Sequence, residues 1–149
     1  MDHPHGVVDI HRHFDAPCEH VYRAFTDADQ LAAWFGPVGV LVLRDSVAVD
    51  ATVGGYRRLT MVTYDGSTRW SVETTFTDVV ENRRLIGYET VTGLAILDGD
   101  KITLRQEFVD EGGGTRLELW EGLYSTEVQA LALEFWLQSF TKLDALLAG

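Results

Sequence analysis

The stretch Thr126–Ala148, TEVQALALEFWLQSFTKLDALLA, decides how the rest of the chain must be arranged. Thr126, followed three residues later by Gln129, reads as a capping box that opens a helix running to about Ala148. Wound at ~100° per residue, Glu127, Glu134, Gln138 and Thr141 fall on one narrow polar stripe. Val128, Ala132, Leu133, Phe135, Trp136, Leu137, Phe140, Leu143, Leu146 and Leu147 spread over roughly 200° of the remainder. That arc is wider than a helix resting on one surface needs, so the helix must be covered from more than one side. Packing on a sheet and its loops would satisfy it. So would an arrangement in which part of the arc lines a cavity. Ala132 and Ser139, which add little bulk within the arc, favour the cavity.

The covering layer is legible upstream. From Val40 to Tyr124 the chain reads as roughly six β segments in an antiparallel meander. They are split by Val53-Gly54-Gly55, Asp65-Gly66, Leu97-Asp98-Gly99-Asp100 and Glu111-Gly112-Gly113-Gly114. Gly54-Gly55 is expected where the backbone needs a positive φ or a close approach. A first strand precedes the meander, with Val8, Ile10, Arg12 and Phe14 alternating against Val7, Asp9, His11 and His13.

Between that strand and the meander lies DAPCEHVYRAFTDADQLAAWFGP, Asp15 to Pro37. Pro17 suits the first turn of a short helix. Thr26 with Asp29 reads as the cap of a second, which Gly36-Pro37 stops. It ends on the bulky pair Trp34-Phe35.

Composition narrows the partners. The chain has 149 residues, enough for one domain with a sizeable core, and its formal net charge is −11. So acidic a surface argues against a nucleic acid or an anionic membrane as partner. The single Cys18 fits a reducing compartment, no segment is apolar enough for membrane insertion, and the N-terminal MDHPHGVVDI lacks signal-peptide features; a cytoplasmic location is expected.

Three spaced signatures carry a family resemblance: FDAP with HVYRAFTDADQLAAWFGP (Phe14 to Pro37), VAVDATVGG (Val47 to Gly55), and GGGTRLELWE running into a helix that contains EFWLQSFTKLDALL. In order and spacing they resemble the START-like superfamily (SRPBCC, the birch-pollen-allergen helix-grip fold), and within it the branch homologous to the activator of the 90-kDa heat-shock-protein ATPase. The resemblance runs from about Val8 to Leu147. It implies one α+β domain over residues 1–149: a curved antiparallel sheet around a long C-terminal helix, with two short helices after the first strand. It also implies a cavity between sheet and helix, with Trp34 at its mouth and Trp34-Phe35 as lid or wall. The alternative for this pair is a staple holding the short helices to the core. Thr52 stands where relatives commonly carry a basic residue, and Arg57 where an aromatic is usual.

Other chemistry is thinly supported. His3, His5, His11, His13 and His20 crowd the first twenty residues, but His11 and His13 are expected to face solvent, and no metal or cofactor is assigned. Cys18, near a helix N-terminus, has no assignable His or Asp partner. No serine lies in a nucleophile-elbow motif, and the triple glycine is not a phosphate loop. More informative are polar residues that share strand faces with apolar ones: Arg12 with Ile10 and Phe14, Arg57 with Leu59 and Met61, Gln106 with Leu104 and Phe108, Glu121 with Leu117 and Leu119. An inward Arg12 or Arg57 needs a partner such as Glu121 or Glu89.

The expected function is binding of a small hydrophobic ligand in an internal cavity. Its expected contacts are Trp34, Phe35, Arg57, Leu59, Met61, Trp70, Phe76, Gln106, Phe108, Leu119, Glu121, Phe135, Trp136, Ser139 and Phe140. Two alternatives are an enzyme of the cyclase or aromatase kind, which needs an inward titratable pair, and a co-chaperone-like interaction module. A homodimer and a chaperone partner stay open.

Overall fold

The computed structural model describes residues 5–97 and 99–149. The expectations for His3, the His5 side chain and Asp98 in its turn lie outside the described residues. Strand β1 (His5–Phe14) alternates as expected, burying Val8, Ile10 and Phe14 while Asp9 and His11 face solvent. It leads into α1 (Cys18–Thr26) and α2 (Ala28–Trp34).

The caps sit one residue from where the sequence pattern put them. Pro17 lies just before α1 rather than in its first turn. Asp27, not Thr26, caps α2 by accepting from the Gln30 N–H at 3.0 Å. The Thr26 hydroxyl is already committed to the Tyr22 carbonyl, 3.0 Å away at the end of α1.

The meander has seven strands: β2 (Val40–Val42), β3 (Ala48–Asp50), β4 (Tyr56–Thr63), β5 (Arg69–Val80), β6 (Arg84–Thr92), β7 (Ile102–Glu111) and β8 (Gly114–Ser125). β2 and β3 are three-residue pieces that both pair with β4. The sheet order is β1-β8-β7-β6-β5-β4-β2, all antiparallel, curled into a half-barrel. The β5–β6 turn carries neither Gly nor Pro; Asn82 supplies its positive φ of 64°.

Curvature is built at identifiable points. A bulge between Phe76 and Asp78 lies opposite Gly87, where an added Cβ would collide with the Thr75 carbonyl. At the Gly54-Gly55 turn, Gly54 has φ +85° and a Cβ on Gly55 would strike the Asp50 carbonyl.

The chain ends in α3 (Thr126–Ala148), capped by Ser125 rather than Thr126: the Ser125 hydroxyl accepts from Val128 N–H at 3.3 Å. Gln129 does not close a capping box; its amide donates to the Val7 carbonyl and ties α3 to β1. The helix lies in the concave face, burying Val128, Trp136, Ser139, Phe140 and Leu143. One flank of the expected apolar arc stays uncovered, since Leu133 and Leu137 are exposed. Trp34 and Phe35 meet this helix from α2: Trp34 stacks on Phe140, and Phe35 packs edge-on against Phe135 and Trp136. Among the described residues no helix is long and apolar enough to cross a membrane.

Candidate functional site

Alternation along the strands carries a row of polar side chains into the concave face. Arg57 on β4 is the cross-strand partner of Thr74 on β5, which is the partner of Glu89 on β6. Gln106 on β7 and Glu121 on β8 complete the set, and all five are buried. So many polar groups in a core are costly unless matched, and most here are matched. The Arg57 guanidinium donates to the Phe25 carbonyl at 3.2 Å and to Gln106 Oε1 at 3.3 Å, and lies over the Phe76 ring. Burial pulls its pKa below the usual arginine value, while the carboxylates of Glu89 and Glu121 pull it back up through space. Gln106 Nε2 alone is left without a partner among the described buried side chains.

The two carboxyls form the core of the row. Glu121 Oε1 accepts from Tyr124 Oη at 2.7 Å and from Trp136 Nε1 at 2.9 Å. Glu89 Oε2 accepts from the Thr74 hydroxyl at 3.3 Å, and the Glu89 and Glu121 carboxyls line the same recess. Two buried carboxylates that share one recess repel each other, which favours the protonated form of Glu89. Desolvation first, and then the neighbouring Glu121 charge, hold Glu89 well above the usual carboxyl range; Arg57 only partly opposes this. Burial likewise raises the Tyr124 phenol, keeping it a neutral donor.

This pair forms the polar part of the wall of a recess of about 160 Å³ between sheet, α3 and the β6–β7 connection. Met61, Trp70, Val72, Val91 and Ile102 come from the sheet, and Leu94, Ile96 and Leu97 from the connection. α3 contributes Val128, Leu131, Ala132, Phe135 and Trp136; Phe35 and Tyr124 complete the lining. Among the described residues, Glu89 and Glu121 are its charged lining residues. Leu131 and Ile96 stand exposed at the rim.

Of the fifteen residues expected from sequence, the recess brings together Phe35, Met61, Trp70, Glu121, Phe135 and Trp136. The other nine lie outside its lining. Trp34 is fully buried, its indole N–H donating to the Ala24 carbonyl at 2.8 Å, so it staples α1 to α2 instead of standing at a mouth. Phe76, Phe108, Phe140, Leu59 and Leu119 are packed core. Arg57 and Gln106 stand behind the carboxyl pair. Ser139 is fully buried, with its hydroxyl on the Phe135 carbonyl at 2.7 Å. Ala132 rather than Ser139 opens space, because only Ala132 sits on the turn of α3 facing the recess.

Glu89 was missed as a site residue, although its alternation with Leu85, Gly87 and Val91 placed it inward. Tyr124 was missed because it closes the last strand, and Leu94, Ile96 and Leu97 because a connection carries no periodic signal.

The remaining candidates are peripheral. Arg12 does not meet Glu121 or Glu89; its guanidinium passes over Phe14 and pairs with Asp144 on α3 at 2.6 and 2.8 Å. His11 pairs with Asp9, and His13 sits between Glu111 and Asp15, all at the surface. Cys18 is half-buried, and its sulfur accepts from Thr115. Among the described residues no three potential metal ligands converge.

Solved structures share this architecture. A Chromobacterium violaceum protein superposes with a TM-score of 0.85 at 22% identity, covering 96% of this chain and 97% of that one. The AHSA1 protein of Silicibacter pomeroyi gives 0.83 at 25% identity, over 96% and 98%. A protein from Arthrobacter aurescens gives 0.81 at 21% identity, over 95% and 86%. No functionally curated protein matches the chain. The family model for activator of Hsp90 ATPase homolog 1-like proteins matches residues 15–148, which is nearly the whole helix-grip fold described above. The chain belongs to that family.

Proposed function

We propose that the protein binds a small hydrophobic molecule in the recess between sheet and α3. One observation carries this: an apolar hollow of about 160 Å³ with two convergent carboxyls in its wall. Its size sets the scale of the ligand. A cavity of roughly 150 Å³ accommodates benzene, so the ligand core is a single ring or a short chain rather than a whole lipid. Phe35, Met61, Trp70, Phe135 and Trp136 are the proposed apolar contacts and Glu121 the polar one; the nine expected residues outside the lining act as scaffold.

The test is native mass spectrometry of freshly purified protein for a co-purified small molecule, with titration of an environment-sensitive apolar dye. Leu131 lies at the rim with its side chain exposed. Leu131→Glu should therefore leave the melting temperature unchanged while weakening the dye about tenfold, ~1.4 kcal/mol. Absence of saturable dye binding, or equal binding by Leu131→Glu, refutes the proposal. The protein-interaction role in the family's name would then take its place.

The Glu89–Glu121 pair favours a second reading, an enzyme of the cyclase or aromatase kind. A buried carboxyl held protonated by desolvation beside a second carboxyl is the kind of pairing that general acid–base transfer can use.

A further inference from the structure

The recess holds a particular balance of charge. Arg57 carries one positive charge, the Glu89–Glu121 pair carries one negative charge and one proton, and together they are neutral. Both neutral donors beside the pair are already committed, since the Tyr124 hydroxyl and the Trp136 indole N–H both end on Glu121 Oε1. Glu89 Oε2 has only the Thr74 hydroxyl, at a long 3.3 Å. The site therefore has acceptor capacity to spare, and among its described lining residues the polar donors Tyr124 and Trp136 are already committed.

Three kinds of polar ligand meet this balance differently. A carboxylate would add a negative charge beside two acids. A neutral carbonyl would bring no donor to the two acids, and a hydroxyl only one. An ammonium ion replaces the Glu89 proton one for one and keeps the cluster neutral. Its N–H groups donate to Glu89 and Glu121, and Phe35, Trp70, Phe135 and Trp136 supply aromatic rings in the same wall, of the kind whose faces attract a cation.

We propose that the recess selects small organic ammonium ions, a single ring or short chain bearing a primary amine, and excludes carboxylic acids. This rests on the reading that the recess holds a ligand. Binding proceeds as R–NH₃⁺ displacing the proton on Glu89, which leaves to the buffer; no bond to carbon changes. Affinity then depends on pH. The groups acting on Glu89 are Arg57 on β4, Thr74 on β5, and Glu121 and Tyr124 on β8; Tyr22 on α1 acts on Arg57, and α3 adds the neutral Trp136 on Glu121. Of these, Glu89 is the carboxyl that burial raises above its usual range.

The experiment is isothermal titration with benzylamine, benzyl alcohol and benzoate, in buffers of differing ionisation enthalpy between pH 5 and 8. Benzylamine should bind at least tenfold tighter than benzyl alcohol at pH 8, and benzoate weakest. On the acid side its affinity should rise up to tenfold per pH unit, with up to one proton released per molecule bound. Glu89→Gln, with folding verified by thermal melting, should reduce the preference for amine over alcohol at least tenfold and abolish proton release. Proton release by wild type is an independent readout should that variant fail to fold. Benzyl alcohol binding as tightly as benzylamine, or amine binding without proton release below pH 6, overturns the selectivity while leaving a ligand-binding recess. Binding of the apolar dye but of none of the three probes does the same. If neither dye nor probes bind, the recess reading falls and takes this one with it.

Discussion

Replacing Ala132 by Leu tests whether the hollow beside α3 is open. Ala132 is half-buried in the recess wall, and Leu adds three carbons directed into that space. At ~0.8 kcal/mol per buried methylene, complete burial would stabilise the fold by about 2 kcal/mol. The recess opens to solvent past the exposed Leu131 and Ile96, so about half of that, ~1 kcal/mol, is the expected gain. In a chain of this size it corresponds to a rise in melting temperature of about 2–4 °C. The same carbons occupy the ligand's place, so dye affinity should fall at least tenfold. Ser139→Leu is the control, two turns further along the same face of α3. Ser139 is fully buried and hydrogen-bonded to the Phe135 carbonyl, so the larger side chain has nowhere to go and should destabilise by about 1–3 kcal/mol. Thermal and urea unfolding with dye titration of all three proteins provides the comparison. If Ala132→Leu destabilises as much as Ser139→Leu, the recess is filled by its own walls in solution and the reasoning fails.

Trp34→Phe should cost about 1–3 kcal/mol in urea unfolding, because the buried Ala24 carbonyl loses its donor. Dye affinity should be unchanged, and a loss of binding by the folded variant would return Trp34 to the recess. Glu89→Gln should change how stability depends on pH. A carboxyl whose folded pKa is raised by burial stabilises the fold below its unfolded value of 4.5, and that contribution is lost as pH rises through the folded value. The variant should therefore gain stability relative to wild type from pH 5 towards pH 9, read as a growing difference in urea midpoints. A constant difference, or one of opposite sign, would show that Glu89 ionises freely in the native state.

The architecture was readable because its strongest signals are periodic. The apolar arc of Thr126–Ala148 demanded a layer on more than one side, and two-residue alternation in β4, β7 and β8 put Arg57, Gln106 and Glu121 inside. Local punctuation was less faithful. Caps at Thr26 and Thr126 were each displaced by one residue, because Asp27 and Ser125 offer equally good acceptors and only backbone geometry chooses between them. The β5–β6 turn was invisible because Asn82 is a weak marker beside Gly or Pro. The site itself was half legible: facing direction follows from alternation, but depth does not. Trp34 and Phe35 are adjacent and similar in bulk, yet the indole N–H of Trp34 is drawn to the Ala24 carbonyl and the ring into the core, leaving Phe35 as wall. Nothing in the pattern distinguishes Ala132 from Ser139, which share a face two turns apart, until the helix is set lengthwise against a real sheet.

The pairing of β1 with β8 has a consequence for how this chain is made. The partners of Phe14 and His5 are Thr115 and Ser125, so the first strand to be synthesised waits for the last. At roughly 5–20 residues per second, the interval is on the order of 5–20 s, during which the apolar face of Val8, Ile10 and Phe14 has no sheet to join. The clamp of Arg12 on Asp144 and the bond from Gln129 to the Val7 carbonyl come later still. The nascent fold thus carries a sticky, edge-competent strand through the synthesis of nearly all its other elements, and its closing event is long-range and slow by topology. Its yield in a cell is expected to depend more on what shields that strand during synthesis than on the stability of the finished fold.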